Sequence, residues 1–360
     1  MERRQEIQAK EQESKACLKI AIIVLNWNGW TDTLKCLESI FHSNYPNYMV
    51  VVCDNGSEDD SVNRIGDWAD GRLNAAVSKS DPLARLLVPP VPKPISYKQL
   101  KRSQAEDEST TVDENTSLVL IQNGSNLGFA KGNNVGIRYA LRCEADYIFV
   151  LNNDTVVHPL CINDLIKFGE EQPHAALIGP KVLDRDLVSH RQWAVAKRLD
   201  FASLLLSQSP FRRLVHKTSI FQQLFYFGDV PACVYAIHGC AMMFKASTLY
   251  QIELFDERTF LYWEEFIIAE KLRKHSLQTF VVPSTVIWHI EGSSTAQMGA
   301  KKFIEYIRSE RVFVEKYLAL SYWQRIIVAG VRLCTYICKM LVDKSYRRNF
   351  GGFIQALFGA

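Results

Sequence analysis

Asn, Asp and Gly gather in four clusters, each shortly after a short apolar run. Asn26-Trp27-Asn28-Gly29 follows residues 20–25 (IAIIVL), and 54–61 (DNGSEDDS) follows 49–53 (MVVVC). Residues 126–134 (NLGFAKGNN) come after 118–121 (LVLI), and Asn152-Asn153-Asp154-Thr155 follows 147–151 (YIFVL). These residue types favour turns whatever the function. Four such clusters in succession at strand ends point instead to a ligand edge. Asp54 offers a carboxylate that can accept hydrogen bonds from a ribose or a base. Gly128 and Gly132 would let backbone approach a diphosphate, with free amides where a helix opens near Asn133. The spacing is not that of the GxGxxG dinucleotide fingerprint. Asn152-x-Asp154 sets a carboxylate where it can bind a hard divalent cation through oxygen. A nucleoside diphosphate with Mg²⁺ or Mn²⁺ fits all four clusters.

A second set of candidates lies further on. Residues 255–266 read FDERTFLYWEEF, with Glu264 and Glu265 adjacent among aromatics and ahead of a helix at 267–274. Burial and a neighbouring like charge both raise a carboxylate's pKa, which suits a general base. A capping pair at a helix start is the structural alternative. Apolar pieces at 280–282 and 286–288 bracket a turn and lead to His289-Ile290-Glu291-Gly292-Ser293-Ser294, which suits a metal or phosphate contact as well as a structural histidine.

The runs 20–25, 49–53, 118–121 and 147–151 read as buried parallel strands. Helical spacing at 31–42 and 133–142 places helices between them, so the order predicts an α/β fold with a doubly wound, mostly parallel sheet and helices on both faces. In such sheets ligands bind beyond the carboxyl ends of the strands. The proline-rich, then acidic stretch 78–117 reads as an irregular, partly disordered surface insertion. A further stretch, 185–229, rich in aromatics and cations, reads as loops and short helices over the sheet.

Charged residues make up 22% of the 360 and the net charge is +3, too little to mark a nucleic-acid partner. The first nineteen residues are charged and carry no signal-peptide pattern. No uninterrupted apolar run is long enough for a transmembrane helix. Nine cysteines, an odd number without zinc-type spacing, suggest a reducing compartment, with Cys334 and Cys338 as two buried thiols on one helix. The expected location is cytoplasmic, peripheral at the inner face of the cell membrane.

In order, these motifs resemble the family 2 glycosyltransferases, especially a rhamnosyltransferase-like bacterial branch. The resemblance runs from about residue 19 to 317. N-x-N-G is matched within 24–29, D-N-G-S-x-D-x-S by 54–61, N-x-G-F-A-x-G-N-N by 126–134 and L-N-N-D-T by 151–155. G-x-x-M-x-x-(R/K) resembles 239–245, the F-D-E…E-(D/E)-x-D stretch resembles 255–267, and H-x-x-G-x-S resembles 289–294. The resemblance implies a GT-A fold over 19–317, followed by a C-terminal amphipathic helical extension, 318–360. It implies that Asp54 holds the nucleotide of the donor, with Asn26, Asn55, Ser57 and Asn126 beside it. Gly128, Gly132, Asn133 and Asn153 complete the expected nucleotide-sugar site. Asp154 would hold a divalent metal (Mg²⁺ or Mn²⁺) as the last acid of an altered D-x-D, with His289 near it. Glu265, beside Glu264, would be the catalytic base. Two positions depart from the pattern: Ile267 stands where the family has an acid, and Arg308-Ser309 where it has Arg-Asn.

The implied activity is inverting hexosyl transfer from a nucleotide-sugar donor, dTDP-rhamnose or a UDP-sugar, to a hydroxyl of a glycan or lipid-linked acceptor. Bacterial surface polysaccharide or glycolipid synthesis is the expected setting. A non-catalytic nucleotide-sugar-binding relative and a nucleotidyltransferase are the alternatives. The former has Ile267 in its favour, and the latter lacks a Gly-rich basic signature at 26–29. At the carboxyl end, Tyr322–Val342 carries Arg325, Arg332 and Lys339 seven residues apart along one stripe. The expectation is a helix lying on a membrane surface, cations in the headgroup layer and apolar side buried.

Overall fold

A computed structural model describes residues 17–110, 116–184, 194–207, 224–226, 228–290 and 299–359. Twelve strands are present among them: β1 (Ile20–Asn26), β2 (Tyr48–Asp54), β3 (Tyr97–Lys101), β4 (Leu118–Gln122), β5 (Tyr147–Asn152), β6 (Thr155–Val157), β7 (Ala175–Leu183), β8 (Ala194–Val195), β9 (Phe225–Tyr226), β10 (Ala232–Val234), β11 (Ala241–Lys245) and β12 (Gln278–His289). Ten form one sheet in the order β10-β12-β7-β11-β5-β1-β2-β4-β3, with β6 paired to β12, while β8 and β9 pair separately. The five strands β5, β1, β2, β4 and β3 run parallel. Beyond them β11 is antiparallel to both β5 and β7. The sheet is mixed and mostly parallel, as the alternation of apolar runs and helices predicts.

Side chains alternate across a strand, so each central strand feeds two cores. Ile20, Ile22, Val24, Val50 and Val52 join one apolar cluster with the helices Trp30–Phe41 and Cys161–Glu171. Ala21, Ile23, Val51 and Cys53 join the other, beneath the helices Gly128–Arg142 and Glu264–Lys274. Double-sided burial is why these strands read as unbroken apolar runs.

The stretch 78–117 departs from expectation. Rather than an irregular insertion, it supplies β3, which pairs in parallel with β4 from Tyr97↔Leu118 onward. Leu83, Leu87, Val91, Ile95 and Leu100 are buried. Glu38, itself buried, accepts hydrogen bonds from Val91 N (2.9 Å), Lys93 Nζ (2.8 Å) and Trp68 Nε1 (2.8 Å), tying the segment to the helix Trp30–Phe41. Its few apolar residues are spaced among prolines and charges, so mean composition hides that nearly each one packs. Residues 111–115 lie outside the described ones. A second departure is β12, a single strand with a register shift between Val282 and Val286 where a turn was expected.

Three helices, Tyr322–Val342, Lys344–Arg348 and Phe350–Phe358, close the chain. The long helix packs the opposite way to expectation. Arg332 is wholly buried against Glu310, with 2.8 and 2.7 Å hydrogen bonds to its two oxygens. The cationic stripe therefore turns inward at its centre, because Glu310 on the helix Ala300–Val312 supplies a buried counter-charge. Cys334 and Cys338, expected as buried thiols, are exposed on the outer side.

Candidate functional site

Strand register assembles the first part of the site. Asn26 stands opposite Asp54, Asp54 opposite Gln122, and Leu25 opposite Asn152, so the carboxyl ends of β5, β1, β2 and β4 form one edge. The polar clusters that follow these strands meet there. Asp54 Oδ1 accepts from Asn26 Nδ2 (2.8 Å) and Ser57 Oγ (2.6 Å), and its Oδ2 accepts from Ser57 N (3.0 Å). Asn26 Oδ1 accepts from Thr33 Oγ1 (2.8 Å) and Asn153 Nδ2 (3.4 Å). Asn55 Nδ2 donates to the Gly128 carbonyl (3.0 Å), and Asn126 Oδ1 accepts from Gly128 N (3.0 Å). Asp54 and Asn55 are buried, while Ser57, Asn126 and Asn153 are partly open.

The expected helix start near Asn133 is corrected, and Gly128 and Gly132 acquire packing partners within the protein. The helix begins at Gly128, five residues before Asn133, and Asn133 is buried with its side-chain amide donating to Phe129 O (3.0 Å) of its own helix. It therefore offers no helix-terminal amide. The first-turn amide of Phe129 donates to Phe260 O (2.7 Å) rather than facing a ligand. Gly128 takes a positive φ of 79°, and a Cβ there would collide with the Phe260 carbonyl. A Cβ on Gly132 would lie 2.8 Å from the Asn55 amide. Close packing inside the protein is thus sufficient to require glycine at both positions.

The second part of the site comes from antiparallel strands. Because β11 runs against β5, the turn His238-Gly239-Cys240 that opens β11 lies at the carboxyl end of β5, where Cys240 O accepts from Asn152 N (2.9 Å). Because β12 runs against β6, His289 pairs with Thr155, and Ile290 N donates to Asp154 O (2.8 Å). His289 Nε2 consequently stands 3.0 Å from Asp154 Oδ1. Two adjacent ligands of an octahedral cation, each about 2.1 Å from it, would be separated by about the same distance. The donor pair therefore fits a hard or borderline divalent ion.

Sequence reasoning missed His238 and Cys240. The ligand atoms of His238, Cys240 and His289 lie within 4.8 Å of one another, and the two imidazoles meet edge to face at 5.3 Å. His238 Nδ1 accepts from Cys240 N (3.1 Å), which commits that lone pair and leaves Nε2 protonated in the neutral ring. Burial, with the Asp154 charge adding to it, keeps the Cys240 thiol well above its usual pKa. Asp154 and His289 are thus the pair suited to a cation, with the other two at its border. The signal was a polar His-Gly-Cys ahead of a short apolar strand, legible only once that strand was known to run antiparallel.

Glu264 and Glu265 open their helix directly after two aromatics in the left-handed region, Tyr262 (φ 74°) and Trp263 (φ 73°). Such backbone costs on the order of 1–3 kcal/mol per residue and persists only where surroundings enforce it. Trp263 stacks on Phe313 at 5.0 Å, and Ser309 Oγ donates to Leu261 O (2.9 Å), so packing and Ser309 hold the turn. Burial, then the charge of Glu265, raises the Glu264 pKa to about 8. Burial raises that of Glu265 as well. The two differ in access: Glu264 is buried and Glu265 partly open. Glu265 Oε2 comes 3.7 Å from where a Cβ on Gly239 would be, so it reaches the same turn that borders Asp154. Ile267 is buried beside Trp263 and Phe313, and the position that departs from the family pattern is filled by apolar packing.

Glycosyl transferase family 2 matches residues 21–81, the segment that holds β1, β2 and the Asp54 loop. The chain is therefore similar to the family 2 glycosyltransferases over its first two strands and the loop between them. It is 26% identical over 159 residues to the low-salt glycan biosynthesis hexosyltransferase Agl10 of Haloferax volcanii, covering 44% of this chain and 47% of that one. It is also 26% identical over 207 residues to the N-acetylglucosaminyl-diphospho-decaprenol L-rhamnosyltransferase of Mycobacterium tuberculosis, covering 54% of this chain and 66% of that one. The matched segments thus span about half to two thirds of these relatives. Among solved structures, GalNAc-T7 with UDP, GalNAc and Mn²⁺ superposes with a TM-score of 0.54 at 14% identity, over 84% of this chain and 49% of that one. Staphylococcus aureus TarS 1-349 in complex with UDP-GlcNAc superposes at 0.51, also at 14% identity, over 94% and 82%. These likenesses show a fold of the GT-A type, with helices appended at its carboxyl end.

Proposed function

We propose that this protein moves a hexose from a nucleotide-diphosphate sugar to an acceptor hydroxyl in one inverting displacement. The observation that carries the reading is the convergence of Glu265 and the Asp154–His289 pair on the turn 238–240. Residues 19–317 form the catalytic unit in this reading, and 318–360 are an appended helical segment.

Glu265 takes the proton from the acceptor hydroxyl, a role favoured by its raised pKa and partial access. A base of this kind contributes roughly 10²–10⁴-fold. Asp154 and His289 would hold Mg²⁺ or Mn²⁺, which supplies charge neutralisation to the departing diphosphate when bound. The network of Asn26, Asp54, Ser57 and Asn153 fixes the loops around the nucleotide. One base with one stabilised leaving group leads to inversion at the anomeric carbon. The Mn²⁺ and UDP named for GalNAc-T7 support a divalent ion and a nucleoside diphosphate. The lipid-linked substrate in the mycobacterial relative's name supports a lipid-linked acceptor and dTDP-rhamnose, with UDP-sugars next.

The test is a panel of nucleotide sugars incubated with the protein and candidate acceptors, scored for release of nucleoside diphosphate and for anomeric configuration by NMR. Expected is turnover with one donor class, an inverted product, and loss of turnover in Glu265→Gln. An inactive Glu264→Gln beside an active Glu265→Gln would move the base by one position.

A further inference from the structure

The helix Tyr322–Val342 carries its charge on one side and its apolar surface on the other. At 100° per residue, Arg325, Arg332 and Lys339 fall on one line. That line turns to the domain at Arg332. Arg332 is buried on Glu310 and also donates to Leu204 O (2.9 Å), and the Lys339 ammonium lies over the rings of Phe303 (5.3 Å) and Tyr346 (5.4 Å). The opposite side holds Trp323, Ile326, Ile327, Ile337 and Leu341, each between 44% and 73% exposed. The positions between them on that side are glycine and cysteine, so no charge interrupts it. A surface helix with its apolar side outward is an unpartnered face.

We infer that this outward face docks on an anionic lipid bilayer, the helix lying flat. Charge selects the occupant. With Arg332 spent on Glu310, the exposed charges from residue 322 to 359 are five cations, Arg325, Lys339, Lys344, Arg347 and Arg348, and one acid, Asp343. Lys344, Arg347 and Arg348 are exposed just past the apolar line, where they meet headgroups as the apolar line enters the acyl boundary. Tyr322 and Trp323, 64% and 70% exposed at the amino end, are amphipathic rings of the kind that settle at a membrane interface. Among the described residues no helix is long and apolar enough to cross a membrane, so the contact is along the surface. This inference does not depend on glycosyl transfer, and its readout is binding alone.

The experiment is co-sedimentation of the full chain with phosphatidylcholine vesicles, with and without phosphatidylglycerol. The parent is expected to partition onto the anionic vesicles, and Ile327→Glu/Ile337→Glu to bind them at least tenfold more weakly with an unchanged melting temperature. Lys344→Ala and Arg348→Ala should each weaken binding roughly fivefold. Should the double variant misfold, Trp323→Glu at a more exposed position carries the same test. Parent protein remaining in the supernatant at low salt, or apolar-face variants sedimenting as the parent does, would overturn the inference. So would equal binding to neutral vesicles, or a parent dimer that these substitutions dissociate.

Discussion

On the side of β1 and β2, Asp54, Asn26, Ser57, Thr33 and Asn153 pass hydrogen bonds among themselves, and both Asp54 oxygens are occupied. On the side of the helix Glu264–Lys274, Glu264 is buried with an Oε1 that accepts no hydrogen bond, behind two aromatics with left-handed backbone. One side is a satisfied cradle that holds loops in place before a ligand arrives. The other keeps carboxyl groups desolvated, a state that costs stability and raises pKa. In the proposed reading, binding is served by groups already satisfied, and proton transfer sits beside one, Glu264, that is not.

The sharpest way to break this contrast is at Glu265. Glu265→Gln should reduce transfer by about 10²–10⁴-fold and leave donor affinity nearly unchanged, read as kcat against nucleotide Kd by calorimetry. A loss confined to Kd would put Glu265 on the binding side. Next in size is Asp154, at the seam between the two sides. Asp154→Ala should abolish the rise in melting temperature that Mn²⁺ with nucleoside diphosphate gives the parent, and excess chelator should remove the same rise. Full parent activity in chelator would end the metal assignment. Within the cradle, Asp54→Asn sets an amide nitrogen against hydrogens from Asn26 or Ser57. The expected cost is about 1–3 kcal/mol of unfolding free energy in urea, together with a raised donor KM. An unchanged stability would show that the network is not what holds the loop.

The cradle side was legible because its signals are local: four apolar runs, each ended by turn-forming polar residues, with the ligand edge following from parallel pairing. Its finer roles were not. Asn133 reads as a helix start only because Gly128 and Phe129 hide the true one, which the Phe260 carbonyl fixes from 131 residues away. Glu264 and Glu265 stood out as a pair, but the approach of Glu265 to Gly239 is made across the fold. His238 and Cys240 join the site only through antiparallel pairing of β11. Arg332 looked like a headgroup contact because its counter-charge, Glu310, sits on another helix. The 78–117 segment looked unstructured because Glu38, the carboxylate that anchors it, lies forty residues upstream at the nearest. Each miss is a long-range partner that no window of sequence contains.

The smallest expected effect concerns Glu264, and it separates desolvation from catalysis. Its folded pKa of about 8 is raised above the ordinary 4.5. A group raised in this way contributes stability that is full below about pH 4.5. That stability declines as pH rises and is lost once pH passes about 8, because the folded state must then hold a buried anion. Glutamine is uncharged throughout, so Glu264→Gln escapes this loss. Urea unfolding at pH 5 should give parent and variant within about 0.5 kcal/mol of each other, the ordinary scatter of a conservative change. At pH 9 the variant should be the more stable, by on the order of 1 kcal/mol or more. The second cause of the shift is the charge of Glu265, so in a Glu265→Gln background the pH-dependent gap should narrow. Parallel stability profiles for parent and variant from pH 5 to 9 would mean that Glu264 ionises freely, and the contrast between a satisfied cradle and a desolvated pair of acids would not hold.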